Sequence, residues 1–108
     1  MAIEKQSYNV RIAVESWDKL RWTKIMTKSK SYSDVIILLE KNLQGSTLKQ
    51  KELVSYYLAF RKNFTRKFKT IMINKTARKT LERVKLLSND ASFTLSDAIM
   101  LLHLCNSI

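Results

Sequence analysis

The sequence predicts a mostly α-helical protein with a short two-stranded antiparallel β-ribbon, and three observations carry that prediction. Residues 9–15 alternate β-branched residues with polar or small ones. Val10, Ile12 and Val14 fall on one face and Asn9, Arg11 and Ala13 on the other, the period of two of a half-buried strand. A lone strand leaves its own N–H and C=O groups unpaired, and a second alternating segment, Thr70-Ile71-Met72-Ile73-Asn74, supplies a partner. Finally, the chain has no proline and one glycine, so tight turns are scarce, and the rest of it carries apolar residues at helical spacing.

Taken in order, residues 1–8 are polar and precede the strand. Ser16 suits an N-cap, with Asp18 in the first turn, and opens a helix from Trp17 to Lys28. Leu20, Thr23 and Met26 form its stripe; Trp22 and Ile25 lie off it. After the polar connection Lys28-Ser29-Lys30-Ser31, a cap at Ser31 or Ser33 starts a helix from Asp34 to Gln44. That helix carries Val35, Ile36, Leu38, Leu39 and Leu43, and Gly45 reads as its stop. Ser46 or Thr47 caps a further helix, ending near Asn63, that holds Leu48, Leu53, Val54, Tyr57, Leu58 and Phe60. It is too apolar for a flexible tether. The strand 70–74 follows. Thr76 caps a helix with Leu81, Val84 and Leu87, and after Ser88-Asn89-Asp90-Ala91-Ser92 a last helix runs from Leu95 or Ser96 to Leu104.

The two ends of the chain therefore repeat strand–helix–helix. A shift of 61 residues places Ile12 on Ile73, Leu20 on Leu81 and Met26 on Leu87. The second connection is two residues longer, and a shift of 63 then places Ser33-Asp34 on Ser96-Asp97 and Ile36 on Ile99. The expected organisation is a first copy over 1–45, a linker helix and basic junction over 46–67, and a second copy over 68–108, together one compact domain.

Twenty basic against nine acidic residues give a net charge of +11. Basic residues outnumber acidic ones by eight to five in 1–44, six to one in 45–67 and six to three in 68–108. Such a balance points to a polyanion, with nucleic acid ahead of an anionic membrane. The stretch Arg61–Lys69 holds five of the cations, interleaved with Phe64 and Phe68. No apolar run approaches the roughly 20 residues of a membrane span, and the N-terminus lacks the apolar stretch of a signal peptide. The single Cys105 excludes an internal disulfide and suits a reducing, cytoplasmic setting. His103 and Cys105, two apart on a helix, point to different faces and have no further histidine or cysteine to complete a metal site. Glycines for a phosphate loop are missing, and one histidine with nine scattered acids assembles no catalytic constellation. No enzymatic activity, no cofactor, no membrane and no small-molecule substrate are expected.

The strings VRIAVES-x3-L-x5-M-x4-SYSDVIILL, from Val10, and TIMINKT-x4-L-x5-L-x6-TLSDAIMLL, from Thr70, resemble the ribbon-helix-helix family of DNA-binding proteins, the MetJ and Arc type. The likeness covers about 80 residues in two copies. Family members pair two identical strands from separate chains into an antiparallel ribbon that enters the major groove. Here both copies share one chain, so the resemblance implies a tandem ribbon-helix-helix pseudo-dimer with a connecting helix, similar to single-chain tandem regulators of archaeal viruses. It implies a sequence-specific transcriptional regulator of viral or plasmid kind, with repression the expected outcome and double-stranded DNA the partner, with or without further self-association on DNA.

Under that resemblance the base-reading residues are Asn9, Arg11 and Ala13 on one strand and Thr70, Met72 and Asn74 on the other. Arg11 suits guanine, the asparagines suit adenine, and Ala13 and Met72 offer apolar contact to thymine. Phosphate contacts are expected from Lys28, Lys30, Ser31, Ser33, Lys69, Lys75, Thr94 and Ser96, where helix starts and lysines meet the backbone. Because the strands differ, an asymmetric half-site is expected rather than a palindrome. The competing function is a protein-interaction module, such as an antitoxin, using the linker helix; a third is that helix binding an anionic membrane.

Overall fold

The two alternating segments pair. In a computed structural model that describes residues 7–44, 50–61 and 63–106, β1 (Ser7–Ala13) and β2 (Phe68–Asn74) form a two-stranded antiparallel sheet. Val10 lies opposite Ile71 at its centre, Arg11 opposite Thr70, and Asn9 opposite Met72. Both strands begin two residues earlier than the alternation suggests, and β1 ends at Ala13, where the chain turns directly into α1 (Val14–Thr27).

Val10, Ile12, Ile71 and Ile73 are buried against helices α1, α2 (Tyr32–Gln44), α4 (Lys75–Ser88) and α5 (Leu95–Asn106). Leu20, Ile36, Leu81 and Ile99 complete the centre of the core. The bounds of β1 and α1 coincide with those of β2 and α4 at the same 61-residue shift: Ser7 with Phe68, Ala13 with Asn74, Thr27 with Ser88. Even the helix ends match. Lys28 and Asn89 both adopt the left-handed conformation, at φ 55° and 50°, and each donates its N–H three residues back, to Ile25 O and Leu86 O. Asparagine tolerates that conformation better than lysine.

The connecting helix α3 (Gln50–Ala59) buries Leu53 and Val54 against α4 and α5, and so is part of the core. The extra length of the second connection has a use: it carries Phe93, fully buried, into edge-on contact with Tyr57 at 5.7 Å. Across the molecule, Arg83 grips Glu40 at 2.7 Å and joins α4 to α2.

Several expectations need correction. α1 starts at Val14, not after Ser16, because β1 runs straight into it; Ser16 is buried and donates to Ser96 O at 3.0 Å. Met26 is 74% exposed, so the stripe of α1 ends before the last turn, and Leu38 also faces outward. Thr76 sits inside α4, which is capped instead by Asn74. α3 stops at Ala59 rather than near Asn63, and α5 extends to Asn106. Gly45, Ser46, Thr47 and Leu48 lie outside the described residues. No helix among the described residues is long and apolar enough to cross a membrane.

Candidate nucleic-acid interface

Opposite the core, the ribbon presents a second face. Asn9 and Arg11 from β1 and Thr70 and Met72 from β2 are exposed and stand in two cross-strand pairs. Met72 is 63% exposed, a degree unusual for a large apolar side chain in a well-ordered strand. Phe68 joins them, because β2 begins earlier than expected. Its ring lies 4.3 Å below the Arg11 guanidinium, a cation–π contact that fixes the direction of the arginine. The alternation Phe68-Lys69-Thr70-Ile71-Met72 carries the signal for Phe68 in the sequence itself.

Two expected members leave this face. Ala13 is 1% exposed: as the last strand residue it closes against α5, where its N–H donates to Ser96 Oγ at 2.8 Å. Asn74 is half-buried, and its side-chain oxygen accepts from Ala77 N at 2.9 Å, so it caps α4. Both sit where the ribbon turns into a helix: there the Asn74 side chain goes to a backbone donor, and the Ala13 methyl is packed while its N–H goes to Ser96.

The expected phosphate contacts separate in the same way. Ser31 accepts from Asp34 N at 3.2 Å and caps α2. Thr94 accepts from Asp97 N, while Asp97 Oδ2 accepts from Thr94 N at 2.8 Å, a reciprocal box at the start of α5. Ser33 and Ser96, two residues further on, are buried; their hydroxyls accept the N–H groups of Asn74 and Ala13, both at 2.8 Å. They are therefore turned away from any phosphate, and strand-to-helix bonding accounts for them. Lys28, Lys30 and Lys75 are exposed. Lys69 alternates with the inward Ile71 and Ile73, yet at the ribbon's end it reaches out over the Trp17 ring at 5.1 Å.

The basic junction is built rather than slack. Arg61 donates to Ser92 Oγ, Ser92 O and Asp97 Oδ2 at 3.1, 3.0 and 2.9 Å. Asp97, fully buried, also accepts from the Tyr57 hydroxyl at 2.7 Å. Burial, with that carboxylate beside it, pushes the Tyr57 hydroxyl well above its usual range. Further along, Thr65 N–H donates to Glu15 Oε2 at 2.8 Å and holds its carboxyl below the ordinary value. Val14 N–H donates to Lys67 O at 2.9 Å. Lys62 lies outside the described residues.

On the far side, Trp22, Tyr56 and Phe60 border a cavity of about 490 Å³ with His103 on its wall. Trp22 and Phe60 are well exposed, and Ile25 is exposed near them on the same helix as Trp22. His103 donates from Nδ1 to Ile99 O, and its Nε2 stands 2.8 Å from Thr23 Oγ1. Among the described residues no group of histidine, cysteine and carboxylate side chains is placed to hold a metal ion.

No family model matches this chain, and no curated protein and no solved structure matches it at a significant level.

Proposed function

We propose that this chain is a sequence-specific double-stranded DNA-binding regulator of transcription, acting as a repressor, that inserts its intramolecular β-ribbon into the major groove. In this reading the matching halves form a ribbon-helix-helix pseudo-dimer joined by α3. The observation that carries it is the exposed row Asn9, Arg11, Thr70 and Met72 on a two-stranded ribbon of a strongly basic protein. A major groove admits such a ribbon, and Arg11 held over Phe68 can donate two parallel bonds to guanine. One good bidentate pair gives roughly 1–3 kcal/mol of discrimination. Lys28, Lys30, Lys75 and the capped starts of α2 and α5 flank the ribbon as phosphate contacts.

The test is selection of bound sequences from a random duplex pool, followed by gel shifts across salt. Affinity that falls steeply with salt while keeping a sequence preference supports the proposal. Binding without preference, or no binding, overturns it. A second reading, an antitoxin-like module that blocks a protein partner, is favoured by one observation: the Tyr56 and Phe60 rings of the linker region lie 4.8 Å apart, tilted at 43°, while both remain exposed. Stoichiometric copurification of a toxin with the wild type, lost in Phe60→Ala, would establish it.

A further inference from the structure

We propose that the groove at one end of the ribbon is a second part of the DNA interface, holding the sugar-phosphate strand beside one half-site only. This rests on the DNA-binding reading above and extends it to the flanking backbone.

The groove measures about 580 Å³. Arg11 and Phe68 line it from the outer face of the ribbon, Phe64, Thr65 and Arg66 from the junction, and Thr94 from the start of α5. It is thus continuous with the face that would read bases. Its chemistry suits the backbone of a nucleotide strand: the Arg66 guanidinium fork for phosphate and phenyl rings against the deoxyribose. Its wall is tied to the fold: Glu15 accepts from Thr65, Val14 donates to Lys67, and Arg61 is bonded to Ser92 and Asp97. Asp97 is paired with Arg61 and bonded by Tyr57 and Thr94, while Glu15 accepts the Thr65 N–H through one oxygen and keeps its negative charge. Arg66 is exposed and makes no ion pair among the described residues.

The other end of the ribbon is chemically different. At the 61-residue shift Arg11 corresponds to Met72 and Phe68 to Ser7. The stretch 63–66, Asn-Phe-Thr-Arg, corresponds in sequence to 2–5, Ala-Ile-Glu-Lys, which has no aromatic residue and no arginine. At that other end Arg78 lies over the Tyr8 ring at 5.5 Å, but Tyr8 alternates with the inward Val10 and packs against the core. On the outer face of the ribbon the guanidinium–ring pair is Arg11 with Phe68, and the footprint extends on that side.

The experiment takes the full chain and a pool-selected duplex, trimmed one base pair at a time from either end. Wild type, Arg66→Ala, Phe64→Ala and Arg11→Ala are compared by gel shift, with circular dichroism to confirm folding. The expected result is a loss of about tenfold on trimming one flank and none on trimming the other. Arg66→Ala should remove that difference and lower the salt slope by about one, and Phe64→Ala should shrink it. Equal sensitivity at both ends, or a trimming profile unchanged in Arg66→Ala, overturns the one-sided groove, while dependence on Arg11 keeps the ribbon itself as the reader. If no duplex of any length binds, the DNA-binding reading falls and the groove with it.

Discussion

The Ser96 hydroxyl accepts the backbone N–H of Ala13 across 83 residues of sequence, at 2.8 Å. Its counterpart, Ser33, does the same for the N–H of Asn74 at 2.8 Å. Each strand end is thereby closed by the second helix of the opposite half. Ser16, which donates to Ser96 O, tightens one of these joints further.

Removing either hydroxyl strands a buried N–H. Ser96→Ala and Ser33→Ala should each destabilise the protein by about 1–3 kcal/mol, read from urea denaturation midpoints. The double variant should lose close to the sum, because the joints sit at opposite ends of the ribbon and share no partner. Ser31→Ala, which removes only a cap at a partly exposed helix start, should lose about 1 kcal/mol.

The outer and inner faces of the ribbon should respond oppositely. Arg11→Ala should lower specific DNA affinity while leaving the thermal midpoint nearly unchanged. Ile12→Ala, on the buried face, should cost about 2–5 kcal/mol of stability. Equal melting of the two variants, with normal binding by Arg11→Ala, would reverse the assignment of faces.

Asp97→Ala should open the junction. It removes the acceptor of Tyr57, Thr94 and Arg61 together, and because Arg61 is partly exposed the loss should be about 3 kcal/mol, at the lower end for a broken buried pair. Hydrogen exchange should rise at Thr94, whose backbone N–H loses its acceptor, and across the first turn of α5. Protection confined to its present level would contradict the pairing.

His103 provides a pH signature. Burial, with Lys19 beside it, lowers its pKa from the usual 6.5. A native pKa below the unfolded one means the unfolded chain takes up the proton more readily. The stability from neutral His103 is therefore present above pH 6.5 and lost as pH falls from there towards the lowered native value. Thermal midpoints of the wild type should decline through that window, and His103→Gln should decline less.

Much of the fold is legible in the sequence, for reasons that can be named. The alternation at Val10–Ile12 and Ile71–Ile73 marks both strands because burial on one face demands it. The repeat spacing fixed the correspondence of the helices. Alternation says nothing about where a strand hands over to a helix, and it is there that Ala13, Asn74, Ser33 and Ser96 serve the joints between strand and helix instead of an outward face. Asn74, directly ahead of a helical pattern, carries a capping signal as strong as its signal for adenine. Phe93 left no periodic mark, since a single aromatic residue in a polar turn shows its burial only once α3 is in place.

Because β1 and β2 belong to one polypeptide, the ribbon assembles by an intramolecular step. Each half meets its complement at a fixed effective concentration, set by the chain between Ala13 and Phe68 and not by how much protein is made. Dilution therefore has no hold on the integrity of the ribbon, which stays complete in a single molecule. The same linkage releases the strands from having to be copies of one another. A change at position 11 leaves position 72 untouched, so each side of the ribbon is free to evolve alone.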